Sequence, residues 1–126
     1  MFHDQEEKAI NNPVILKGVI IGIIILIIIS TIMALFSSFI YSLDTNIRNN
    51  VLIVENFLII GYIGFYVARR VEKNGWLNGG LSGLIYMVVI ILLGSISMPI
   101  SFWYIFLLLI LGLIAGSIGG IIGINF

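Results

Sequence analysis

The sequence predicts an all-α membrane fold: a single bundle of four transmembrane helices with both termini on the cytoplasmic side. Three observations lead there. Four long apolar stretches alternate with three polar breaks. Apolar residues make up 60% of the chain and charged residues 10%, against about 45–50% and about 25% in soluble domains. All six basic residues except Arg48 fall on one side of the predicted spans. A water-soluble globule of this composition would lack the polar surface to cover itself. A β-barrel would show alternating polarity, which runs such as IIGIIILIII do not.

The first helix is expected over 14–41, from Val14 to Tyr41, with Asn12 and Pro13 as start signals. Its leader, MFHDQEEK, is acidic, and no small-x-small site follows the run. The run is also longer than the roughly 7–15 residues of a signal core, so it reads as a retained helix. After the break SLDTNIRNN, the second helix is expected over 51–68. It closes on Arg69, Arg70, Glu72 and Lys73, with Asn74 and Gly75 as a left-handed stop. The third is expected over 77–94, ended by SISMPIS, in which Pro99 cannot continue a helical ladder. The fourth is expected over 102–124. Residues 1–13 then form a cytoplasmic N-terminal segment and 14–126 one domain. The second and third runs fall short of the roughly 20 residues a bilayer requires, so their polar flanks are expected to stay helical.

Orientation follows from the basic residues. Lys8, Lys17, Arg69, Arg70 and Lys73 lie on the side assigned to the cytoplasm, and Arg48 on the other. Trp76 would mark the inner interface, and Tyr41, Trp103 and Tyr104 the outer one.

Small residues recur at four-residue spacing, which lets helices approach closely where lipid gives no hydrophobic drive. The predicted packing positions are Gly18 and Gly22; Gly61, Gly64 and Ala68; Gly79 and Gly83; and Gly112, Gly116 and Gly120. In the first helix the register continues through Ser30, Ala34 and Ser38. The fourth carries a second stripe, Ala115, Gly119 and Gly123. Packing inside one bundle accounts for these patterns; self-association through the two stripes of the fourth helix is the sharper alternative. The halves also echo each other. Leu16-Lys17-Gly18-x-x-x-Gly22 parallels Leu77-Asn78-Gly79-x-x-x-Gly83, and Gly61-x-x-Gly64-x-x-x-Ala68 parallels Gly112-x-x-Ala115-x-x-x-Gly119. A duplication would give two parallel helical-hairpin repeats.

The stretch GFYVARRVEKNGWLNGGLSGLIY, with the ending GSIGGIIGIN, resembles an uncharacterised YrzE-like family of small four-helix membrane proteins from Gram-positive bacteria. The resemblance implies a plasma-membrane protein with no assigned activity, and it carries over no catalytic residues.

Candidates for chemistry are few. Glu55 is the one ionisable residue expected inside the membrane, followed by Asn56. It reads either as an interfacial carboxylate at the N-terminal end of a short helix or as a proton or cation site. Arg48 would sit two turns above it if the helix begins early enough. Tyr62 and Tyr86 lie deeper, with Ser30 or Thr31 as expected partners. Arg69, Arg70 and Lys73 serve as topology determinants that also attract anionic head groups. There is no Cys, the single His3 is poor material for a metal site, and a net charge of +0 offers nucleic acid no basic field. No cofactor, metal or catalytic pattern is present, because the remaining acids are scattered. Two classes are left: a non-catalytic accessory subunit or self-associating scaffold, partnered by lipid, a second copy or another membrane protein, and an oligomeric small transporter or channel built on Glu55, Asn56, Tyr62 and Tyr86.

Overall fold

Helix α1 spans Asn12–Leu35, α2 Thr45–Ala68, α3 Gly75–Ser97 and α4 Phe102–Asn125. The structure is a computed structural model and describes residues 9–36, 38, 39, 42 and 44–126. Each helix is long and apolar enough to cross a membrane, and no strand occurs among the described residues. His3, Lys8 and Tyr41 lie outside the described residues.

The boundaries correct the expected ones in physically simple ways. α1 stops at Leu35, six residues before the expected end at Tyr41. Its 24 residues already reach about 36 Å, enough for about 30 Å of hydrocarbon. α2 begins at Thr45 behind Asp44 rather than at Val51, and α3 runs from Gly75 to Ser97. The polar flanks of both stay helical, as their short apolar runs require. The stop between α2 and α3 is left-handed at Asn74 (φ 54°), whereas Gly75 is already helical. Gly75 has a different role, because a Cβ there would strike Ile124.

The glycines set the topology. Gly18 faces Val67 and Gly22 faces Ile63, so α1 and α2 are antiparallel. Gly79 faces Gly120 and Gly83 faces Gly112, so α3 and α4 are antiparallel too. Gly119 lies on Gly61 and Gly123 on Phe65, which makes α2 and α4 parallel neighbours. The result is an up-down-up-down bundle in which α2, α3 and α4 form the core and α1 rests on α2 and α3. In both hairpins the glycine pair of the first helix faces the second helix. The first pair meets side chains, whereas the second meets backbone.

Both stripes of α4 are consumed inside the bundle. Gly112, Gly116 and Gly120 receive the backbone of α3, while Gly119 and Gly123 receive that of α2 and Ala115 is buried. Residues three apart lie about 60° apart around a helix, enough to serve two neighbours. Both stripes are thus occupied by neighbouring helices of the same chain, as packing inside one bundle requires. Gly61 departs from expectation as well. A Cβ there would meet nothing within 4 Å; it is the Gly61 carbonyl that Gly119 approaches.

The register in α1 breaks down past Gly22. Ser30, Ala34 and Ser38 are exposed. A strict four-residue spacing drifts about 40° per step, so Ala34 points about 160° away from Gly18. The face toward α2 passes instead to Ile25, Ile29 and Met33.

Glycine is confined to one half of the bundle, the half that holds the described termini and the α2–α3 turn. Only Gly94 of the 14 lies well into the far half. Backbones meet in the glycine half, whereas two grooves lie open between the helices of the far half. The bundle therefore tapers.

Candidate functional site

The taper opens two lateral grooves in the far half. The first, about 540 Å³, lies between α1 and α2 and is lined by Ile25, Ile29 and Met33 on one side and Val54, Glu55 and Leu58 on the other, with Tyr62 at its lower end. The second, about 470 Å³, lies among α2, α3 and α4, with Asn56, Met87 and Tyr104 in its lining.

The four polar residues expected to share a site do not share one: Glu55 and Tyr62 line the first groove, Asn56 lines the second, and Tyr86 is buried and lines neither. Glu55 and Tyr62 are seven residues apart on one face of α2 and look toward α1. Asn56 turns inward. Its amide nitrogen donates to the Leu52 carbonyl at 3.0 Å, and its Oδ1 accepts from the Tyr86 hydroxyl at 3.4 Å. Tyr86 is fully buried and Tyr62 is 49% exposed. The expected tyrosine partners in α1 are not used: Thr31 donates to the Ile27 carbonyl at 2.7 Å within its own helix, and Ser30 is exposed.

Glu55 lies ten residues into α2, about 15 Å along its axis, so it is not a residue of the first turn. Asp44 occupies the N-cap position, which removes the reading of Glu55 as a dipole-end carboxylate. Arg48 is on the same helix and the same face, two turns earlier. Glu55 Oε1 is buried and has no hydrogen-bond partner. An acceptor in that position is costly unless something else supplies a donor.

At the glycine end, Arg70 stacks over the Tyr66 ring at 3.9 Å and Arg69 over Phe65 at 5.6 Å. Each pair is four residues apart, so each ring holds its own guanidinium group at the end of α2. Arg70, Lys73 and Asn74 also line a cleft of about 420 Å³ closed by Asn11, Asn12 and Pro13. Nearby, Asn78 is 1% exposed and was not singled out by sequence reasoning. Its amide bonds Asn11, Ala9 and Asn74. An amide one turn into an otherwise apolar span was the available signal, since a buried amide must find partners.

A family model described as "Protein of unknown function (DUF3792)" matches residues 11–123. The chain belongs to the DUF3792 family. In this DUF3792 protein the matched span runs from just before α1 to just short of the end of α4, and it contains both grooves and Asn78. No curated protein and no solved structure matches the chain.

Proposed function

We propose that the chain is a non-catalytic component of a bacterial plasma membrane, an accessory subunit or self-associating scaffold inserted with both termini in the cytoplasm. The taper carries this reading. The small-residue faces are spent on the protein's own core, while α1 barely touches α4 and turns apolar side chains outward along its far half. A surface of that kind suits a neighbour in the membrane. The basic residues Arg69, Arg70 and Lys73 at the α2–α3 turn support a cytoplasmic glycine end, with anionic head groups as its lipid contacts. The GFYVARRVEKNGWLNGGLSGLIY stretch supports a YrzE-like relationship and a Gram-positive source.

Transport through Glu55 is the second reading, favoured by its unpartnered oxygen. Backbone-to-backbone closure of the glycine half weighs against it, because it leaves little room for a path through one chain. The absence of Cys makes the test clean. A photoreactive maleimide on Ile28→Cys, in the far half, should give a discrete protein adduct in native membranes, and on Ile121→Cys, in the glycine half, only lipid adducts. Lipid adducts at both positions, together with Glu55-dependent flux in proteoliposomes, would reverse the order of the two readings.

A further inference from the structure

We propose that the α1–α2 groove binds a lipophilic monocation, an amine or quaternary onium group on an apolar body, with Glu55 as its counter-ion. The groove is open to the side, so the ligand enters from the membrane. This goes beyond the accessory reading and can fail independently of it.

The argument begins with the orphaned oxygen. Glu55 Oε1 is buried without a hydrogen-bond partner, and a carboxylate is an acceptor only. An occupant complementary to the ionised carboxylate therefore brings positive charge or a donor. The rest of the lining is Ile25, Ile29, Met33, Leu58 and their apolar neighbours, apart from Tyr62. A hard divalent cation needs about six to eight oxygens, and the groove does not offer them. An anion would face the carboxylate. What remains is a single positive charge on a body that satisfies an apolar wall. Tyr62, two turns along the same face, adds an aromatic ring of the kind that attracts such cations.

Size separates a small ligand from a partner helix. The volume of about 540 Å³ lies within the roughly 300–1,000 Å³ of small-molecule sites. A helix about 10 Å across would fill it with about 7 Å of its length, little more than one turn. The open groove can thus seat a compact molecule against its wall, and it meets little more than one turn of a transmembrane helix. Its position fits the packing: Gly18 and Gly22 seat α1 on α2 at one end, and past them Ile25, Ile29 and Met33 face the groove instead.

The test uses the full chain in nanodiscs of neutral phosphatidylcholine, titrated with radiolabelled tetraphenylphosphonium. Saturable binding above empty nanodiscs is expected, with Glu55→Gln weakening it at least about tenfold. Ile29→Trp, which fills the groove and leaves the carboxylate in place, should also abolish it. Both variants are checked for an unchanged elution profile and melting temperature. Uncharged tetraphenylsilane should not compete. Uptake equal to empty nanodiscs, unaltered binding by a folded Glu55→Gln variant, or full competition by the silane would each overturn the proposal. A polypeptide that co-purifies with the parent and is lost from Glu55→Gln, without phosphonium binding, would overturn it in favour of a basic helix.

Discussion

The side-chain carbonyl of Asn78 accepts the main-chain N–H of Asn11 at 2.8 Å, joining positions 67 residues apart. The amide nitrogen of the same residue donates to the carbonyls of Ala9 and Asn74, each at 3.0 Å. One buried amide therefore holds the entry of α1, the α2–α3 turn and the first turn of α3 together. The tie adds to the seating of α1 on α2 through Gly18 and Gly22.

Asn78→Ala should remove all three bonds and leave the Asn11 N–H without this acceptor. A loss of about 1–3 kcal/mol is expected. Hydrogen exchange should rise most at residues 9–15, while α4 stays protected. Uniform exchange across all four helices would show that the tie is not local.

The two glycines of α2 should respond in opposite ways. A Cβ at Gly64 would run into the Gly116 carbonyl, whereas one at Gly61 would meet nothing within 4 Å. Gly61→Ala should be neutral or raise stability by up to about 1 kcal/mol through helix propensity. Gly64→Ala should cost about 1–3 kcal/mol or more from overpacking, because backbone cannot swing aside. Thermal unfolding in mild detergent separates them, and equal melting temperatures would refute the packing described.

Tyr86→Phe keeps the buried ring and removes the hydroxyl that reaches Asn56 at 3.4 Å. At that length, and with interhelical bonds in membranes averaging about 0.6 kcal/mol, the change should cost less than about 1 kcal/mol. Tyr86→Ala should cost about 3–5 kcal/mol, because it empties a fully buried site. A double-mutant cycle with Asn56→Ala reads the hydrogen bond directly.

Asn74 holds a left-handed conformation, with φ 54° and ψ 40°. Asn74→Gly should leave stability unchanged or slightly raised. Asn74→Val should lower it by at least about 1–2 kcal/mol, since a β-branched side chain is poorly tolerated there. Equal stability of the two variants would mean that the turn relaxes into another conformation.

Much of the fold could be read without coordinates, and the reasons are specific. The spans follow from hydropathy, and the polar flanks of α2 and α3 stay helical because their apolar cores alone are too short to cross. The packing role of Gly18, Gly22, Gly64, Gly79, Gly83, Gly112, Gly116 and Gly120 was legible from spacing, since four residues return to nearly one helical face. The same rule misled over Ser30 and Ala34, where the residual rotation accumulates. It also misled at Gly61, where spacing cannot distinguish a missing side chain that is needed from a carbonyl that is merely touched.

The candidate site was legible as a list and not as an arrangement. Glu55 stood out because an acid in an apolar span is costly wherever it lies. Its separation from Asn56 and Tyr86 could not be seen, because adjacent residues on a helix point about 100° apart and only the neighbours decide which direction is inward.

By itself the sequence determined four apolar helices, their alternating direction and the glycine content of one half, because these depend on local composition and chain connectivity. Only the tertiary structure decided that both stripes of α4 face inward, that Asn78 ties the N-terminal segment to α3, and that Glu55 lines an open groove. Those outcomes depend on which faces meet, and that is set by the summed fit of backbones and side chains across helices distant in sequence.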